Sequence, residues 1–224
     1  MSFSLSELIS TFRTQVDDTT EPYLWGDDEI LDFLDEAEDD FCERTDAIPD
    51  EIELEYEADQ EWLEIPEHIT QIRDARTGVT TVQVCNRTPW EAMVYYDDYG
   101  MGLTSENWRS VTGPTLRALV TDIRQGQAKL YPIPTADGSV TLEVFRRPEA
   151  PLSERGELEI ADRKQQRLIL VKSTALAYGK HDAEAYNPKM AQELEVQYLQ
   201  GVEELLRNTR RRRRHNSLMG YGGL

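Results

Sequence analysis

Few residues in this chain could do covalent or metal chemistry. Three histidines, His68, His181 and His215, and two cysteines, Cys42 and Cys85, are the whole supply of imidazole and thiol. No pair has the spacing that puts two metal ligands on one helix face, and HExxH is absent. Two thiols define neither a zinc site nor a disulfide framework. They read as ordinary thiols of a reducing compartment. Carboxylates are plentiful, with 43 Asp and Glu. Adjacent pairs such as Asp39-Asp40 and Asp97-Asp98 are expected by chance in so acidic a chain, and the DxDxDG spacing of a calcium loop does not occur. The phosphate-loop, dinucleotide and nucleophile-elbow patterns are missing too. No catalytic residue, cofactor or metal is assigned, and the chain reads as non-enzymatic.

What remains is the chemistry of recognition. Residues 207–224 read RNTRRRRRHNSLMGYGGL, with Arg210, Arg211, Arg212, Arg213 and Arg214 ahead of Leu218, Met219 and Tyr221 in a glycine-rich tip. Guanidinium groups take phosphates or carboxylates by two parallel hydrogen bonds. A basic run therefore points to nucleic acid or to an acidic protein surface. The rest of the chain pulls the other way, because the formal net charge is −19. Residues 1–60 hold 21 acidic residues against two basic ones, Arg13 and Arg44, so they carry all of it; the remaining 164 residues balance 22 against 22. The two ends of the chain are opposite in sign and suit different partners.

Certain elements must position these charges. Hydrophobic residues are 39% and charged residues 30%, a globular composition. The longest aliphatic run, Leu168 to Val171, is far too short for a membrane span, and the first residues lack a secretory pattern. Ser4 and Glu7 have capping-box spacing ahead of a stripe of Leu5, Leu8, Ile9, Phe12 and Val16. Asp27 is the expected N-cap of a second helix with Ile30, Leu34, Ala37 and Phe41 inside. Its outer face would hold Asp32, Asp35, Glu36, Glu38, Asp39, Asp40 and Glu43. Period-2 alternation then begins at Ile52, Leu54 and Tyr56. Further strands are expected at 61–65, 80–84, 115–121, 127–131 and 139–145, with a short helix opening at Thr88-Pro89. The stretch VYYDDYGMG, with Tyr95, Tyr96, Tyr99 and Met101, reads as an apolar stretch inside a loop, and a long loop of that kind is either functional or mobile. Asp162 and Asn187-Pro188 start two final helices, an αα-hairpin. The buried stripe of the first is read as Leu168, Val171, Ala175 and Tyr178.

The expected fold class is α+β. A helical bundle comes from both chain ends, two N-terminal helices plus the C-terminal hairpin, around a small, mostly antiparallel β insert, with an extended C-terminal tail. The expected divisions are 1–50, 51–150, 151–209 and a flexible basic tail, 210–224.

Three segments resemble the head-to-tail adaptor, or connector, proteins of short-tailed bacteriophages. They are EPYLWGDDEILDFLDEAEDDFCERTDAI at 21–48, LYPIPTADGSVTLEVFRRPEAPL at 130–152 and HDAEAYNPKMAQELEVQY at 181–198. The resemblance implies a virion protein of the phage neck, assembled in the host cytoplasm. It implies a homo-oligomeric ring, dodecameric, that docks to the portal, extends the DNA channel and offers the tail nozzle or tube, and tail fibres, a place to attach. DNA would pass without specific binding, and no membrane is involved. Arg210 to Arg214 with Leu218, Met219 and Tyr221 are then the expected portal-docking segment. Tyr95, Tyr96, Tyr99 and Met101 become the expected tail-facing loop. Asp32, Asp35, Glu36, Asp39 and Asp40 are candidate channel-facing residues, since carboxylates repel a polymer with about one charge per 1.7 Å. The alternative is a nucleic-acid-binding module that uses the arginine run.

Overall fold

A computed structural model describes residues 3–85, 110–181 and 184–217, with the backbone alone for 210–217. The chain forms two compact units. One joins Met1–Ile48 to Arg147–Leu224, and the other is Pro49–Arg146.

The first unit is helical. In α1 (Leu5–Gln15) the capping box is complete. The Ser4 hydroxyl accepts from the Glu7 amide at 3.3 Å, and the Ser4 amide donates to Glu7 Oε2 at 2.8 Å. In α2 (Asp27–Thr45) the cap lies one residue earlier than expected. Gly26 is the N-cap, and Asp27, Asp28 and Glu29 fill the first turn, where negative charge suits the helix dipole. A single turn, α3 (Leu152–Arg155), follows the return of the chain from the second unit. Asp162 caps α4 (Arg163–Gly179) by accepting from the amides of Lys164 and Gln165 at 2.8 and 3.1 Å. Asn187 does the same for α5 (Pro188–Ser217), accepting from Met190 at 3.1 Å.

Helix α4 packs against α1, α2 and α5. Leu8, Phe12, Ile30, Leu34, Phe41, Ile169, Leu170 and Tyr198 expose none of their surface. The buried stripe of α4 differs from the expected one. Ile169, Leu170, Ser173, Thr174 and Ala177 go inside with Ala175, while Leu168, Val171 and Tyr178 are only partly covered, because three helices share this one. Buried Gln166 is satisfied at both ends: it accepts from the Phe3 amide and donates to the Ile160 carbonyl, both at 2.8 Å. Gly201 lets α5 approach α4 closely, since a Cβ there would lie 2.4 Å from Leu168 Cδ2.

The second unit contains β1 (Ile48–Tyr56), β2 (Trp62–Glu64), β3 (Ile69–Thr77), β4 (Thr80–Cys85), β5 (Thr112–Gly113), β6 (Ala118–Arg124), β7 (Gln127–Tyr131), β8 (Ile133–Pro134) and β9 (Gly138–Arg146). Seven strands form one sheet in the order β1-β9-β3-β4-β6-β7-β2; β5 and β8 form a separate pair. Most neighbours are antiparallel, but β4 and β6 run parallel, with Gln83 opposite Ala118 and Cys85 opposite Val120. So do β5 and β8. Val82, Leu119, Ala128, Leu130, Val140 and Leu142 fill this unit's own core at zero exposure. Lys129 is also inside, its ammonium 2.8 Å from Glu61 Oε2.

This overturns the expected fold class. The chain is mixed α/β, with a large curled seven-stranded sheet shaped like a half-barrel and five helices among the described residues, not a helical bundle with a small β insert. The missed strands have physical reasons. Interior strand β3 lacks clean alternation because its register with β9 shifts twice, between Ile69 and Gln71 and between Ile72 and Asp74. The strands β5 and β8 are two residues each, too short for any period to show. The helix from Pro188 runs on into the arginine run, and the α5 backbone stays helical through Ser217. Arginine is a good helix former, and cations complement the C-terminal end of the dipole. The expected helix opening at Thr88-Pro89 lies outside the described residues.

Because Phe41 is fully buried between the helices, Phe41→Ala should cost about 3–5 kcal/mol, measured by urea unfolding of the full chain. A loss below about 1 kcal/mol would contradict the packing described for this unit.

Candidate functional site

The helical unit carries the acidic residues singled out in the sequence, and two arginine-centred networks run through it. The first is built on Arg13, in the last turn of α1 and only 9% exposed. Its Nη1 donates to Asp18 Oδ2 at 2.8 Å. Its Nη2 donates to the Trp25 carbonyl at 2.9 Å and to Asp27 Oδ1 at 2.6 Å. Asp18 in turn accepts from the amides of Leu24 at 2.8 Å and Trp25 at 3.2 Å. The Arg13 guanidinium lies 3.9 Å from the centre of the Tyr23 ring. One buried cation thus closes the connection between α1 and α2 on itself. Trp25 is pinned edge-on against Phe33, with ring centres 5.4 Å apart, whereas Tyr23 and Leu24 stay 46% and 38% exposed.

The second network runs along α2. Glu38, expected on the wet face, exposes no surface. Its Oε1 accepts from the Ile160 amide at 3.1 Å, and its Oε2 lies 2.9 Å from Arg155 Nη1. Arg155 also donates from Nη2 to Asp35 at 2.9 Å and from Nε to the Ala150 carbonyl at 2.5 Å. Asp35 accepts in addition from the Leu152 amide at 2.9 Å, at the start of α3. Asp39 pairs with Arg147 at 3.3 Å, and Glu43 lies 3.7 Å from the same guanidinium. Asp40 accepts from Arg44 at 2.7 and 3.0 Å. Burial raises the Glu38 carboxyl above its ordinary range, with Arg155 pulling the other way. Burial likewise raises Asp39, opposed by Arg147. At Asp40 burial is outweighed by hydrogen bonds to its carboxylate, that of Arg44 foremost, and its pKa is lowered.

The expected site residues therefore separate into distinct groups. Asp35, Asp39 and Asp40 are half-buried in ion pairs inside the unit, and Asp32 and Glu36 are exposed on the outer side of α2. Arg210 to Arg214 lie in the last turns of the α5 backbone. Leu218, Met219 and Tyr221 lie outside the described residues, as do Tyr95, Tyr96, Tyr99 and Met101. Sequence reasoning missed Arg13, Glu38, Arg147 and Arg155. The available signal was scarcity: Arg13 is one of two basic residues among the first 60, so each has many carboxylates to choose from.

Nothing in this geometry has the form of a reaction centre. Among the described residues no group of three His, Cys, Asp or Glu is placed to hold a metal ion. No helix of the described residues is long and apolar enough to cross a membrane. In the second unit a cleft of about 360 Å³ is lined by Asp50, Glu51, Arg73 and Glu143, but Asp50 is engaged by Arg146 and Glu51 by Arg76.

The family model described as SU10 adaptor protein matches residues 3–220. The chain belongs to that family. It is a phage head-to-tail adaptor, a structural component of the virion, as the three motif segments implied. No curated protein matches the chain. A structural adaptor acts through its surfaces and its rigidity, and its family implies a non-enzymatic protein. All three segments contribute to what holds the helical unit together, residues 130–152 through Arg147, Ala150 and Leu152. Residues 21–48 contain the Arg13-bound turn and α2, and residues 181–198 contain the link from α4 to α5.

The raised Glu38 pKa has a pH signature. The folded chain holds this proton more tightly than the unfolded chain, whose carboxyl titrates near 4.5. The stability that Glu38 contributes is therefore fullest below that value and falls as pH rises through the window above it. The stability of the native chain relative to Glu38→Gln should accordingly fall from pH 4.5 towards 7, measured by urea titrations at each pH. A native chain that gains stability relative to the variant over this range would contradict the burial assigned to Glu38.

Proposed function

We propose that this adaptor forms a dodecameric ring beneath the portal of a phage head, extends the channel through which DNA passes, and provides the docking surface for a tail nozzle or tube and its fibres. The match of the adaptor family over residues 3–220 carries this reading. The ring assembles in the host cytoplasm and stays in the virion. It contacts DNA without reading it.

The C-terminal segment is the portal-docking element of this proposal. Helix α5 contributes its last packed side chains at Val202, Leu205 and Leu206, and Arg207, Asn208 and Thr209 are exposed. The helical backbone continues through Arg210–Arg214, which supports an arm held clear of its own unit. Arginines on such an arm match carboxylates on a partner, and Leu218, Met219 and Tyr221 supply apolar contact after them. Of the acidic set, Asp32 and Glu36 are exposed, and these are the residues proposed to face the channel. Tyr95, Tyr96, Tyr99 and Met101 are proposed to meet the tail.

Deleting residues 210–224 removes no residue of the described core. The truncated chain should keep its melting transition and fail to join purified portal in a sedimentation assay. Full-length chain should join it and should retain little duplex DNA at 0.15 M salt. Normal portal attachment by the truncated chain would overturn the docking role. Tight duplex binding that weakens steeply with salt would instead favour the nucleic-acid reading.

A further inference from the structure

The connection between α1 and α2 carries more negative charge than its neighbours answer. Residues 17–29 hold six carboxylates and no cation. Among the described residues two cations pair with them. Arg13 of α1 is shared by Asp18 and Asp27, and Lys180 at the end of α4 pairs with Glu29. Lys189, at the start of α5, lies 3.8 Å from Glu193 instead. Asp17, Glu21 and Asp28 are left over: each is exposed and has no ion-pair or hydrogen-bond partner among the described residues. Between them in the chain stand Tyr23 and Leu24, 46% and 38% exposed. Both are held in place, the Tyr23 ring by the Arg13 guanidinium and the Leu24 amide by Asp18 at 2.8 Å.

Residues 205–224 are the opposite, with six arginines and no Asp or Glu. Arg207 pairs with Glu203 one turn back at 2.8 Å. Arg210–Arg214 follow on the same helical backbone, and no Asp or Glu lies within four positions of any of them. Like charges three and four apart on a helix repel, so this stretch gains from an anionic partner. Its own copy does not bring one within reach. Helix α5 starts beside the end of α4, where the Asn187 amide donates to the Tyr178 carbonyl at 2.9 Å and Lys180 joins that end to α2. Arg210 lies about 33 Å further along the helix at 1.5 Å per residue. That is far beyond the length of an arginine side chain.

We propose that Arg210–Arg214 of one copy seat on Asp17, Glu21 and Asp28 of a second copy, with Leu218, Met219 and Tyr221 of the arm packed on Tyr23 and Leu24. Guanidinium forks suit carboxylates, and the exposed ring and leucine give the apolar end of the arm a surface to cover. The helix that carries the arginines away from the carboxylates of their own copy makes the contact intermolecular. It joins two different surfaces, so it is heterologous and passes from copy to copy. It goes beyond the portal reading by giving the same arm a second seat. The neighbour holds the arm while no portal is present, and portal competes for the same arginines. Such a contact between exposed charges weakens with salt.

A labelled synthetic peptide of residues 207–224, titrated with the full-length chain at low salt and followed by fluorescence anisotropy, tests the seat. The native chain should bind it. Asp17→Asn with Glu21→Gln and Asp28→Asn should weaken binding roughly tenfold or more while the thermal transition is kept. A peptide carrying Leu218→Ser, Met219→Ser and Tyr221→Ser should also bind the native chain more weakly. In sedimentation velocity at low salt the native chain should self-associate, and the triple variant and the chain lacking 210–224 should stay single copies. Equal binding of the peptide by the native chain and the triple variant, or none by the native chain, would remove this contact and leave the portal reading standing. A native chain that stays a single copy at every concentration would also overturn it. Peptide binding that needs the three carboxylates, together with normal portal attachment by the truncated chain, would keep this contact and remove the portal reading.

Discussion

A carboxylate with no exposed surface has to be met by a cation, and that requirement joins the two ends of this chain. Glu38 of α2 is the carboxylate; Arg155 lies 117 positions later and is the cation. Between them the chain leaves the helical unit, builds a complete sheet with its own core, and returns. Arg155, Asp35, the Leu152 amide and the Ile160 amide fix where it returns. Removing one partner of such a network strands the other without water, which is why losses of this kind run to about 3–5 kcal/mol. The core of Phe41, Ile169, Leu170 and Tyr198 depends on that registration, because it is made from both ends of the chain.

The same constraint explains how a region of net charge −19 folds at all. Asp18, Asp27, Asp35, Glu38, Asp39 and Asp40 are counter-ions for Arg13, Arg155, Arg147 and Arg44. Only what is left over, such as Asp28, Asp32 and Glu36, is free to face anything outside. Acidity in the sequence is thus partly structural and partly a surface property. For a phage adaptor, whose work is to hold shape between other virion proteins, both uses count.

The three kinds of signal in the sequence differed in how much they disclosed. Local signals disclosed most. The capping box at Ser4 and Glu7, the cap at Asp162, and the alternation of Ile52, Leu54 and Tyr56 follow from geometry within a few residues, and each is present. Pairing disclosed least. The parallel match of β4 with β6, and the position of β3 between β9 and β4, depend on partners far away in the chain; so the sheet was underestimated and the fold class misjudged. The run of arginines continues the helix that starts at Pro188, as helix propensity and the dipole favour. Burial of charge was illegible for a simpler reason. Glu38 stands in a row of acidic residues that look alike in sequence, and only the return of Arg155 decides which of them goes inside.

The family, by contrast, was readable from three segments, each of which contains contacts of the helical unit. Such contacts constrain sequence strongly, because each residue in them has a named partner. The charged surfaces have no partner within the chain, and they take their meaning from the assembly. Electron microscopy of the purified full-length chain, alone and mixed with portal complexes, bears on that most directly. The predicted result is a closed ring of copies stacked coaxially on the portal, with the channel continuous through both. Single copies bound separately to the portal, or no association with it in either preparation, would contradict the adaptor-ring assignment.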